Sequence, residues 1–176
     1  HQIAMNIASF TFLMSSGIAA AATVRVSTLL GEGKFSSMRQ SGFASFLLTL
    51  IFMGTSAILL LIFNDTIPGL YINDENVASI AANLLIIAAF FQLMDGTQVT
   101  GFGVLRGLKD VKIPTIIAFI AYWLIMLTLC FFFAEIMKLK VHGVWYGFLI
   151  GLFSIAIILA WRFNFISKRI VLQNER

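Results

Sequence analysis

Five long apolar stretches decide what this chain can fold into, because each can cross a lipid bilayer as a helix. A bilayer core about 30 Å thick takes about 20 helical residues at roughly 1.5 Å each. The stretches run from about residue 2 to 24, 42 to 63, 77 to 105, 113 to 134 and 141 to 161. They show no sustained period-two alternation and are about twice the length of a barrel strand, which excludes a membrane β-barrel. Of 176 residues, 60% are hydrophobic and 11% charged, against about 25% charged in a domain whose surface faces water. The surplus apolar surface must face lipid. The expected fold is all-α and integral to a membrane, with the bilayer as its first partner.

The connections carry the residues that end helices. Gly31 and Gly33 break the first, and Asn64, Asp65, Pro68 and Gly69 break the second. Gly107 follows the third stretch, and Pro114 opens the fourth, close to the first helical turn where proline is tolerated. The chain begins at His1 and is apolar from Ile3, without a basic leader or a small-residue cleavage site. It is expected to be an excerpt whose beginning lies upstream.

Charge in the connections predicts the orientation. Lys plus Arg number 3 in the first connection, 0 between Asn64 and Asn76, 3 in the third, 2 in the fourth and 4 in the tail, residues 162–176. Basic connections stay on the cytoplasmic side, so the first, the third and the tail are expected inside. Alternation then carries the fourth outside. The net charge of +4 is dispersed through these short loops, sets topology and indicates no nucleic-acid partner.

Enzyme signatures are missing. Cys130 has no second cysteine, His1 and His142 are not spaced as metal ligands, and the Gly31-Glu32-Gly33-Lys34 stretch lacks phosphate-loop spacing. No catalytic residue, resident metal or cofactor is expected. The glycines Gly143, Gly147 and Gly151 repeat every fourth residue and predict a close packing face in the last span.

Asp95 is the one Asp, Glu, Lys or Arg inside any of the five stretches, eighteen residues after Val77 and eleven before Arg106. A charged Asp at a helix centre costs about 2.5–3.5 kcal/mol to insert, so it should face the bundle interior as an ion or proton site. The competing reading is a structural Asp hydrogen-bonded to a neighbouring helix. Gln92 and Gln98 lie three residues to either side, with Phe91 and Phe102 on the same side of the helix. Carboxylate, amides and rings together suit a cation and an amphipathic organic ligand, although each amide alone could serve only helix–helix hydrogen bonding. A second stripe, Gln2, Asn6, Ser9, Leu13 and Ser16, follows one face of the first span, and Asn6 offers a carbonyl oxygen to a hard cation. Ser9 and Ser16 read as interhelical contacts.

Four blocks, in order and in register, resemble the multidrug and toxic compound extrusion (MATE) family, in its NorM-like branch. They are HQIAMNIASFTFLMSSGIAAAATVRVSTLLGEGK from His1 to Lys34, FFQLMDGTQVTGFGVLRGLKD from Phe90 to Asp110, AYWL from Ala121 to Leu124, and HGVWYGFLIGL from His142 to Leu152. The resemblance implies helices eight to twelve of a twelve-helix transporter, most of one six-helix bundle, with the N-terminal half of the same transporter as its partner. It implies that Asp95 is the family's embedded carboxylate and that Asn6 is an amide near the cation. A family glutamate on helix seven would precede His1. Phe91 stands where some members carry tyrosine, and Met126 and Thr128 where a Gly-x-Pro break often falls, departures that bear on the ion's identity.

The expected function is antiport: organic, often cationic, compounds leave in exchange for Na⁺ or H⁺. The sites are Asp95 and Asn6 for the cation and Phe91, Gln92, Gln98 and Phe102 for the substrate cavity, in a plasma membrane, with a bacterial inner membrane expected. Two alternatives remain. A lipid-linked oligosaccharide flippase would need several basic residues facing the cavity, whereas no Lys or Arg lies inside a span. A non-transporting scaffold would leave Asp95 without purpose.

Overall fold

The computed structural model describes residues 2–64 and 75–174, with side chains from 9–64, 85–139 and 143–174. Gln2 and Asn6 of the polar stripe, as side chains, and Asp65, Pro68 and Gly69 of the second connection lie outside the described residues. Five helices follow one another: α1 (Gln2–Gly31), α2 (Phe35–Ile62), α3 (Glu75–Gly107), α4 (Lys112–Ile136) and α5 (Lys140–Asn174). All five are long and apolar enough to cross a membrane, and no strand occurs among the described residues. Lipid offers no hydrogen bonds, and a helix satisfies its backbone internally. The helices outrun the bilayer core. At 35 residues, α5 is about 52 Å long, and it carries the segment after Arg162 as helix to Asn174.

Two helix ends close by the same device. At α1, Gly33 N–H bonds Leu30 C=O at 3.2 Å, and Lys34 N–H reaches back to Leu29 C=O at 3.0 Å, with Gly33 left-handed at φ 71°. This is a Schellman cap with glycine where glycine costs least. At α3, Lys109 N–H bonds Arg106 C=O at 2.9 Å and Asp110 N–H bonds Leu105 C=O at 3.0 Å, with Lys109 left-handed at φ 62°. Gly107, read from sequence as the stop, is the last helical residue instead. Its Cα lies against Thr23 and Val26 of α1, so closely that a Cβ there would come within 2.9 Å of both. Beyond the first cap, Lys34 donates a hydrogen bond to Glu32 at 2.8 Å, and its charge holds the Glu32 carboxyl below the usual carboxylate range.

Helix α3 is the centre. It packs against α1, α2 and α5, while α4 packs chiefly on α5. Apolar surface gains little by moving from lipid to protein, so association rests on close van der Waals approach and interhelical hydrogen bonds. Glycines on α3 supply the approach in three directions. A Cβ on Gly96 would meet Met53 of α2 at 2.7 Å, one on Gly101 would meet Leu159 of α5 at 2.9 Å, and one on Gly103 would meet the Ala19 carbonyl of α1 at 2.5 Å. At the last of these, Thr23 Oγ1 donates to Gly103 C=O at 2.8 Å. The hydroxyls of Thr49 and Thr100 join α2 to α3 at 2.6 Å inside the bundle. Around them lies the main core, which includes Val26, Met38, Leu105, Ile155 and Phe163.

The Gly143, Gly147 and Gly151 face packs as its spacing predicts. Cβ atoms there would strike the Phe133 backbone, Cys130 and Met126 of α4. Helix α4 is irregular: Ala121–Met126 and Phe132–Ile136 are π-helical. Leu127 N–H bonds Tyr122 C=O, five residues back, and Met137 N–H bonds Phe132 C=O at 3.0 Å. Of its side chains only Pro114, Ala121 and Cys130 are buried.

One end of the bundle is tied by charge. Arg162 Nε donates to Asp110 Oδ2 at 2.6 Å, joining α5 to the α3–α4 connection, with side chains 20% and 17% exposed. Arg39 Nη2 donates to Asn164 Oδ1 at 2.8 Å, and its guanidinium lies 5.5 Å from the Phe43 ring centre. These contacts gather the start of α2, the α3–α4 connection and the far part of α5.

Two stability outcomes follow. In the full-length protein Gly103→Val should overpack the α1–α3 crossing and cost about 1–3 kcal/mol, read as a lower melting temperature in detergent. Gly54→Ala, where a Cβ meets nothing within 4 Å, should stay within about 0.5 kcal/mol; equal melting of the two would contradict the close-approach account. Arg162→Ala leaves Asp110 without its counter-charge and should cost about 2 kcal/mol, a discounted value for a partly exposed pair. An unchanged melting temperature would show that the pair is not a tie.

Candidate functional site

Asp95 lies half-buried on α3, and the two glutamines turn away from it to opposite sides. Positions three before and three after a residue sit about 120° apart on a helix of 3.6 residues per turn. Gln92, 1% exposed, faces α2, where its Oε1 accepts from Ser56 Oγ at 3.4 Å and its Nε2 has no partner. Gln98, 3% exposed, faces α4, where its Nε2 donates to the Tyr122 hydroxyl. Gln98 Oε1 is buried without a hydrogen-bond partner. Asp95 stands between these arms in the sequence of α3.

The two rings diverge as well. Phe91 packs edge-on against Trp145 of α5, with ring centres 5.6 Å apart. Phe102 lines a groove of about 270 Å³ between α1 and α3, with Ser16, Ala19, Thr23, Gly103 and Arg106. Seven residues separate Phe102 from Asp95, about 10 Å along the helix axis, so the groove lies toward the Arg106 end and the carboxylate does not line it. The structure therefore joins Gln98 to Tyr122, three residues along α3 from Asp95, and sends Gln92, Phe91 and Phe102 to separate neighbours.

On α1 the buried stripe is Thr11, Ser15, Ala19, Ala22, Val26 and Leu29. Of the predicted polar stripe, Ser9 is exposed, Leu13 is 67% exposed and Ser16 borders the groove. The buried stripe of α1 is thus offset from the predicted polar one. The side chain of Asn6 lies outside the described residues.

Tyr122, Ser56 and Trp145 were not among the expected site residues. Tyr122 carried a signal: a phenol hydroxyl inside an apolar span needs a hydrogen-bond partner when the ring is covered. Chemically, the Asp95 neighbourhood offers oxygen ligands and one negative charge in an apolar wall, suited to a hard cation.

The described residues form a polytopic helical membrane bundle whose central helix carries one half-buried carboxylate, Asp95. The MatE family model matches residues 1–132, and the chain belongs to the MatE family. It is 39% identical over 176 residues to the multidrug resistance protein NorM of Burkholderia vietnamiensis, covering 97% of this chain and 38% of that protein. Against the probable multidrug resistance protein NorM of Xylella fastidiosa (strain 9a5c) it is 37% identical, covering 96% of this chain and 36% of that one. The chain thus spans under two fifths of the length of these relatives. Its fold is similar to that of the eukaryotic MATE transporter AtDTX14, with a TM-score of 0.85 at 17% identity over 98% of this chain and 40% of that one.

Proposed function

We propose that this chain forms most of the C-terminal bundle of a cation-coupled exporter, and that Asp95 is its coupling group. Organic, often cationic, compounds would leave the cell in exchange for Na⁺ or H⁺. The observation that carries this reading is the half-buried carboxylate of Asp95, alone in its charge among apolar spans and flanked by buried amides. The names of the NorM relatives support multidrug export as the setting. Because the chain spans under two fifths of those proteins, the N-terminal half is proposed as its working partner.

The proposed mechanism is competition. A cation arriving at Asp95 neutralises the site and disfavours the drug-bound arrangement, and the drug is released outward. One charge moving inward down 100 mV yields about 2.3 kcal/mol, roughly a fiftyfold bias. Two bundles rocking around a midplane site fit the general transporter pattern. Asn6 is proposed as a further cation ligand, and Phe91, Gln92, Gln98 and Phe102 as walls of the substrate cavity. Arg106, alone at the groove's end, falls short of the several cations a phosphate-bearing lipid would need. The membrane is proposed to be a bacterial inner membrane, with the tail after Arg162 cytoplasmic.

Asp95→Asn in the full-length protein keeps shape and hydrogen bonding but removes the charge. Cation-driven drug efflux from vesicles should fall to background while expression and insertion stay near normal. Wild-type efflux under an imposed Na⁺ or H⁺ gradient would instead make Asp95 a structural residue. For orientation, with Cys130 replaced, a cysteine at Asp74 should react with an impermeant thiol reagent added to intact cells. Protection there, with labelling at Lys168→Cys, would reverse the topology.

A further inference from the structure

Phe91 occupies the position one turn before Asp95, carries no oxygen, and is committed to the edge of Trp145. That position therefore provides Asp95 with no second oxygen, and Gln92, three residues before it, turns its Oε1 to Ser56 of α2. On the other side of Asp95 stands Gln98. Gln98 is 3% exposed, and its Oε1 has no hydrogen-bond partner. A buried acceptor left without a donor is unfavourable, a cost that a bound cation would remove. Its Nε2 donates to the Tyr122 hydroxyl, which occupies one lone pair of that oxygen. The second lone pair stays available, and the hydroxyl proton is free to point at the carboxylate.

Helix α4 is shaped for this contact. Tyr122 lies in the π-helical stretch Ala121–Met126, and its carbonyl accepts from Leu127 rather than from the residue four ahead. Such a turn inserts one residue, re-aims side chains and recurs at functional sites. No proline or glycine in that stretch forces it.

We propose that Tyr122 Oη and Gln98 Oε1 are ligands, with the Asp95 carboxylate, of the coupling cation, and that the Gln98–Tyr122 hydrogen bond presets their geometry. This rests on the assignment of Asp95 as the coupling group. A proton needs only the carboxylate. The carboxylate, the amide oxygen and the phenol oxygen supply three oxygens of a coordination shell, which favours a hard metal cation of Na⁺ type.

The test is binding of radiolabelled Na⁺ to the purified full-length protein in detergent. Wild-type protein should bind Na⁺ saturably, and Asp95→Asn should not. Tyr122→Phe should raise the half-saturating Na⁺ concentration about tenfold, the equivalent of about 1.4 kcal/mol, with the number of sites unchanged. Gln98→Leu should shift it in the same direction. Thr55→Val, an exposed hydroxyl bonded only to its own helix at Ile51 C=O, should leave it unmoved. A Tyr122→Phe protein that melts lower but keeps wild-type Na⁺ affinity would make the tyrosine a packing group and overturn the proposal. Absence of Na⁺ binding by wild-type protein would also overturn it, while leaving proton-coupled efflux at Asp95 intact. Wild-type Na⁺ affinity in Asp95→Asn would instead bring down the underlying assignment.

Discussion

Close backbone approach around α3 is what the rest of the bundle depends on. Lipid removes the ordinary hydrophobic reward for association, leaving dispersion forces that fall off within a fraction of an ångström and a few shielded hydrogen bonds. Gly96, Gly101 and Gly103 open α3 toward α2, α5 and α1 in turn. The Thr23–Gly103 and Thr49–Thr100 hydrogen bonds sit at those same crossings. A hub built this way can hold a polar residue such as Asp95 at a defined depth, because three neighbours fix the rotation of the helix that bears it.

The polar groups of the interior divide into two kinds. Thr49, Thr100 and Thr23 have their hydroxyls satisfied, each with a partner on a neighbouring helix and Thr49 and Thr23 also with a carbonyl of their own helix. Gln92 and Gln98 each leave one amide atom unmatched. Leaving such atoms buried is less favourable than an apolar residue of the same shape would be. The two lie on opposite sides of Asp95, one turned toward α2 and the other toward α4.

Much of this was legible from run lengths alone, since an apolar stretch of about 20 residues has one stable form in lipid. The Gly143, Gly147 and Gly151 face was legible because a four-residue period of small side chains has a packing meaning wherever it occurs. Other features were hidden because they belong to neighbours. Gln92 and Gln98 do flank Asp95, but their spacing cannot say that one meets Ser56 and the other Tyr122. Gly107 looked like a stop and is a contact, while the left-handed cap falls on Lys109, a residue with no preference for it. The π stretches of α4 leave no trace in composition, and Leu13, on the predicted stripe of α1, follows helical period yet is 67% exposed.

Helix α4 meets the bundle on an unusually smooth surface. The glycines of α5 present a furrow without side chains, and α4 lies in it with its backbone against theirs near Phe133 and Cys130. Where knobs and holes interlock, axial travel must lift one ridge over the next. A furrow without side chains offers few ridges, so the register of α4 along α5 must be set by something else. Cys130 Sγ donating to Val144 C=O at 3.4 Å and the Gln98–Tyr122 hydrogen bond do this: close approach sets the spacing of α4, and two polar contacts set its position along the seam.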